Sequence, residues 1–327
     1  VTLTSVLKFG RNIVVILAIL AVAGWLAFVP SAVEPPYMFV AAWGEKGSAP
    51  GQFNDPTGIA VAGDEVFVSD SRNGRIQVFD RDGRFKRQFG TPGRGLGQLG
   101  RPMNLAIRAG ELYVAEYFND RIQVFGLDGR ARRVFGKSGS GRGEFNAPGG
   151  VAVAPDGDLL VADFYNQRIQ QLGSDGRFVR QWGTTGKIGI RAGEFNYPTD
   201  VAVGAEGSLY VADGYNDRIQ EFGADGAFLR KWGGPFAMNL FGPFNGWFAT
   251  VTGIATDSAG NVFAADFYNN RVQKYSASGK FLVGFGARGS GPGQFDHAIA
   301  VAVSGDGTVF AADFGNNRIE KWRPAER

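Results

Sequence analysis

Apolar residues in most of this chain come in short runs of four to seven, cut by Asp-Gly, Asn and Gly turns rather than spaced as on a helix. The stretch from Val151 to Trp182 shows the pattern. Val151 to Ala154, Leu159 to Asp163, Arg168 to Leu172 and Arg177 to Trp182 read as strands, separated by Pro155-Asp156-Gly157, Phe164 to Gln167 and Ser174-Asp175-Gly176. Each turn supplies residues that tolerate tight or left-handed backbone, so the unit predicts a four-stranded antiparallel meander.

The same unit recurs along the chain. An acid, two residues, Asn, one residue and Arg are written six times: Asp70/Asn73/Arg75, Glu116/Asn119/Arg121, Asp163/Asn166/Arg168, Asp213/Asn216/Arg218, Asp266/Asn269/Arg271 and Asp313/Asn316/Arg318. Spacings of 46 to 53 residues between the arginines belong to stacked or radial repeats. Four strands per unit and six units predict an all-β, six-bladed propeller. The sixth unit stops one strand short after Trp322, and Met38 to Gly44 (MFVAAWG) reads like the fourth strand of the other units. Residues 38–44 are therefore expected to pair in the last blade and close the ring.

Ile13 to Val29 breaks the pattern, being uncharged, apolar and ended by Pro30. It predicts an N-terminal transmembrane helix at the short end of spanning length. Lys8 and Arg11 before it, against Glu34 alone after it, predict a cytoplasmic N-terminus and an extracytoplasmic propeller, periplasmic or at the cell surface. A cleaved signal peptide is the rival, but a cut after Ala32 would put Pro30 where a small residue is wanted. The expected organisation is a stub and anchor over 1–30, a stiff linker over 31–37 carrying Pro35-Pro36, and the propeller over 38–323.

Composition changes this picture little. Fifty glycines and 28 phenylalanines suit tight turns around aromatic-rich sheets. The absence of cysteine excludes disulfides, thiolate metal sites and cysteine nucleophiles. A net charge of +3 dispersed through the repeats does not point to nucleic acid.

The recurring Gly-x-Phe-x-x-Pro-x-Gly-[Ile/Val]-Ala-Val, Val-Ala-Asp-x-x-Asn-x-Arg-Ile-Gln and Asp-Gly-x-Phe, clearest over Gly143 to Gly183 and Gly193 to Gly233, resembles the NHL repeat from about Met38 to Trp322. That resemblance implies a propeller. Its activity stays open, because the family includes scaffolds, extracellular sensors, RNA-binding domains and a few metal-dependent lyases or lactonases.

Six copies of acid, Asn and Arg exceed what one site needs, so they are read as a lock on each hairpin, with Glu116 a tolerated variant. Phe89, Phe135, Trp182, Trp232 and Phe285, each before Gly, are read as packing between blades. Function is sought where one blade differs. At the entry to the innermost strand stand Gly58, Asn104, Gly150, Asp200, Gly253 and Ala300, so Asn104 and Asp200 are candidate ligand-binding residues at the channel mouth. They are also the candidates for a calcium site, weak or absent because a hard cation needs about six oxygens; no other cofactor is expected. His297, the sole histidine, cannot build a zinc centre alone and is read as a turn residue or a base at the mouth. The insertion Gly233 to Phe248 brings Phe236, Met238, Leu240, Phe241, Phe244 and Trp247, an exposed patch for a partner or membrane, or a plug over the channel.

Taken together, the residues predict a non-catalytic, membrane-tethered scaffold or sensor for a protein, peptide or envelope ligand. A metal-dependent lactonase or lyase using Asp200 and Asn104 is the alternative.

Overall fold

A computed structural model describes residues 12–17, 19, 22, 24–25, 28–204 and 206–325. Six antiparallel four-stranded sheets stand around an axis. Blade 1 runs Pro56–Ala62, Glu65–Asp70, Arg75–Asp80 and Phe85–Phe89 from the axis outward. Blades 2 to 5 repeat it with innermost strands Pro102–Arg108, Pro148–Val153, Pro198–Val203 and Val251–Thr256. Blade 6 has Ala298–Val303, Val309–Asp313 and Arg318–Pro324, and takes Tyr37–Trp43 as its outer strand. In that joint Phe39 lies opposite Trp322, Ala42 opposite Glu320 and Trp43 opposite Ile319, so the ring closes with the N-terminal strand as the sequence predicts.

The apolar core is divided into six clusters, one in each cleft between neighbouring blades. Ile59, Val66, Val68 and Phe79 of blade 1, for example, pack against Ala300, Ala302, Phe310 and Ile319 of blade 6. The aromatic residue ending each outer strand leans over the next blade. A Cβ on Gly83, which has φ +83°, would lie 2.6 Å from the Trp43 ring, so glycine is required there by backbone and by space. At the axis the innermost strands crowd: a Cβ on Gly58 would come within 2.1 Å of the Met103 carbonyl oxygen.

The apolar N-terminal stretch requires a correction. Among the described residues no helix is long and apolar enough to cross a membrane, so the helix expected at 13–29, and the localisation and membrane contact drawn from it, are not supported. Lys8 and Arg11, which carried the orientation, lie outside the described residues. The helical residues reach Phe28 and give way at Val29 and Pro30. This end is engaged with the propeller: Trp25 meets Phe244 edge-on at 5.2 Å, and Phe28 meets Phe236 at 5.1 Å. Beyond it, the Val33 and Glu34 N–H groups donate to the Leu282 carbonyl, and Glu34 pairs with Lys274 at 2.6 Å.

Candidate functional site

In every blade the acid is a hub that does more than lock its hairpin. The Arg Nε donates to it at 2.6–2.9 Å in all six. In blade 4, Asp213 also accepts from Asn216, Gln220 and the Asn196 N–H, while Arg218 reaches the carbonyls of Arg191 and Glu194. The cluster therefore staples the incoming linker to the blade, burying an ion pair with its hydrogen bonds satisfied. Glu116 supports the same set, accepting from Arg121, Asn119, Gln123 and the Gly100 N–H.

The residue between Asn and Arg joins one blade to the next. Asp120, Gln167, Asp217, Asn270 and Asn317 are all left-handed, and each side-chain oxygen accepts the N–H of Ala147, Tyr197, Thr250, His297 and Asp55 respectively. Gly74 holds this place in blade 1 and has no side chain to offer Arg101.

All these turns share the propeller face at which the innermost strands begin, because Pro198 pairs with Asp213 and Pro56 with Asp70. The second of the two residues between acid and Asn is exposed on that face in every blade, and sequence reasoning passed over it as turn filler. Phe118, Tyr165, Tyr215 and Tyr268 are 59%, 47%, 51% and 61% exposed on four successive blades. Their neighbours link them: Tyr117 donates to the Tyr165 hydroxyl at 2.9 Å, Phe164 lies 4.9 Å from Tyr197, and Tyr197 lies 5.1 Å from Tyr215. The signal was present, since these turn positions are aromatic where turns are ordinarily polar.

His297 belongs to this belt. It takes the left-handed position ahead of the innermost strand of blade 6, its ring 4.5 Å from Phe267 and 5.6 Å from Tyr268, its Nδ1 2.9 Å from Asp296.

Asp200 lies just inside the channel, one pair beyond the rim, opposite Ala212. It is buried and accepts the Ile254 N–H at 2.9 Å, a donor freed by the irregularity between Val251 and Ile254. A Cβ on Gly150 would lie 2.2 Å from its Oδ1, so the glycine of blade 3 makes room for it. Burial pushes the Asp200 carboxyl up to about 8, against the opposing pull of the Ile254 and Val201 N–H groups and the Asn104 side chain. Asn104 and Asp200 thus face one another across blade 3. No group of three or more His, Cys, Asp and Glu suited to a metal occurs among the described residues.

The aromatic insertion lies elsewhere. It contacts the outermost strand of blade 4, Phe228–Trp232, and its Ala237 carbonyl accepts from Arg218, with Phe236 69% and Phe241 74% exposed. Met238 is also exposed, Phe244 and Trp247 are half-buried, and the Trp247 indole donates to the Phe28 carbonyl at 2.5 Å. The insertion keeps the duties of the linker it replaces, since Arg271 donates to the carbonyls of Pro243, Phe244 and Trp247.

Comparison with known proteins accords with this geometry. The NHL repeat family model matches residues 53–79, 145–172, 195–222 and 248–275, in blades 1, 3, 4 and 5. A stretch of 49 residues, 15% of this chain, is 53% identical to the protein brain tumor of Drosophila melanogaster, of which it spans 5%. Among solved structures, a gluconolactonase from Xanthomonas campestris is similar over 91% of this chain and 98% of its own, with a TM-score of 0.62 and 14% identity. The WD40 β-propeller domain of Doa1 is similar over 89% of this chain and 98% of its own, with a TM-score of 0.61 and 13% identity. At such identities the likeness is one of fold.

Proposed function

We propose that this chain, a six-bladed propeller of NHL repeats, is a non-catalytic binding module that holds a protein or peptide on its aromatic face. The observation that carries this reading is the run of exposed rings from Phe118 through Tyr165 and Tyr215 to Tyr268 around the channel mouth. Rigid aromatic side chains on loops of a fixed scaffold anchor partners at low entropic cost. The side chains within the channel favour structure over chemistry. Asp200 is committed to the Ile254 N–H, and with Asn104 it supplies two donors where a hard cation needs about six oxygens.

Panning the immobilised protein against a peptide display library tests this. Binding sequences should lose at least about tenfold in affinity to a Phe118→Ser, Tyr165→Ser, Tyr215→Ser variant, the size expected when anchoring rings are removed. Unchanged affinity in that variant overturns the assignment.

One observation favours the lactonase or lyase alternative: a channel carboxyl that titrates near 8 can serve as an acid or base at neutral pH. Lactone hydrolysis with a rate that rises through pH 8 and disappears in Asp200→Asn would establish it.

A further inference from the structure

The missing link at Gly74 has a chemical consequence. Where five blade junctions close with a side-chain oxygen on a backbone N–H, the junction between blades 1 and 2 leaves the Arg101 N–H without an acceptor among the described residues. A cleft of 890 Å³ opens at that place, lined by Gly74, Gly93, Gly100 and three arginines, Arg72, Arg94 and Arg101.

The arginines are unequal. Arg72 is paired with Asp55. Arg101 has no carboxylate and no hydrogen-bond acceptor among the described residues; its guanidinium stacks on Tyr117 and Phe118 at 5.6 and 5.4 Å, and its Nε is buried without a partner. Stacking fixes the planar fork in place and leaves its donors unspent. Arg94 is exposed and likewise unpaired among the described residues. The nearby acids are already taken, Asp55 by Arg72 and Glu116 by Arg121 and its companions. The cleft therefore combines net positive charge, a held guanidinium and a free backbone donor on a left-handed turn. Blade 2 is also a blade that the repeat family model does not match, and Arg101, Asn104 and Glu116 depart there from the residues of the neighbouring blades.

We propose that the cleft between blades 1 and 2 is a binding site for a compact oxyanion, a carboxylate or phosphate carried by the ligand. The Arg101 guanidinium and backbone N–H grip the anion, Arg94 adds charge, and Phe118 offers its ring to the group bearing it. This site stands apart from the aromatic-belt reading, because it needs neither Tyr165 nor Tyr215.

The test is an NMR titration of the full chain with inorganic phosphate and, separately, acetate, each against sodium chloride at matched ionic strength. Saturable shifts of the Arg101 amide and its Nε–Hε signal are expected with one anion or both, and the stronger arm identifies phosphate or carboxylate. Arg101→Gln should weaken binding at least fivefold. Gly74→Asn, which restores the side chain found at the other junctions, should do the same, and Arg101→Gln serves alone if the tight contact of a new Cβ with Pro92, at 3.0 Å, disturbs folding. Shifts that do not saturate, that match those in chloride, or that persist in Arg101→Gln overturn the site. That outcome would leave peptide binding by the tyrosine belt untouched.

Discussion

Glu320 stands where the other five blades carry glutamine at Gln77, Gln123, Gln170, Gln220 and Gln273. Each of those amides bridges its hub acid and a linker carbonyl and accepts a glycine N–H, as Gln220 does with Asp213, Glu194 and Gly193. A carboxylate cannot donate, and Glu320 is buried with one oxygen unpartnered and its carboxyl pushed by burial up to about 8. Glu320→Gln should therefore stabilise the protein, by about 1–2 kcal/mol near pH 8 and less at pH 5, in denaturant melts at the two pH values. The sign follows from linkage. Asp200 and Glu320 titrate near 8 in the folded state and Asp266 near 6, against about 4 when unfolded, so folding takes up protons between these values and stability falls as pH rises from 4 to 8. Glu65 and Glu111, drawn down to about 2 by Arg87 and Arg133, act oppositely and lose their contribution as pH falls below about 4.5. The melting temperature should then peak near pH 4–5 and decline toward pH 8, with a smaller decline in Asp200→Asn. A Tm that climbs from pH 5 to 8 would contradict this. For the hub pair itself, Arg218→Ala leaves Asp213 buried without its cation and should cost roughly 3–5 kcal/mol, whereas breaking the exposed Arg130–Asp128 pair should cost next to nothing in the same melts.

At the scale of elements, the strands and hairpins of each blade were legible because Asp-Gly and Asn turns punctuate them and the acid–Asn–Arg spacing repeats. The junction links were not legible, since a single residue between Asn and Arg acts on a backbone N–H about 27–33 residues later or, for Asn317, back at Asp55 across the ring closure. The hub likewise showed only its hairpin half in the sequence, its linker half being made to carbonyls, which any residue supplies. Asn104 and Asp200 were found by comparing blades, yet their neighbour Gly150 became meaningful only with the approach of Asp200 to its Cα. The apolar stretch at 13–29 misled because hydropathy measures transfer from water and is blind to the aromatic insertion against which Trp25 and Phe28 pack. Trp247→Phe removes the indole donor to the Phe28 carbonyl. Limited proteolysis should then cut before Tyr37 several-fold faster while the propeller fragment stays intact, an equal rate arguing that the aromatic contacts alone hold this end.

For the whole molecule, stability resides in the junctions between blades, since each apolar cluster is shared by two neighbours and none lies within a single sheet. Removing residues through Trp43 would bare the edge of Arg318–Pro324 and strip Tyr37, Phe39 and Trp43 from two of these clusters. Such a truncation should melt at least several degrees lower and self-associate in size-exclusion chromatography. The closing strand also has a consequence for how the chain comes into being. On the ribosome Tyr37–Trp43 emerges before any blade exists, and its partner Arg318–Pro324 follows only after all the others have been made. The first strand of the propeller to be synthesised must wait, unpaired, until the last one arrives to receive it, so the ring closes in one final step rather than blade by blade.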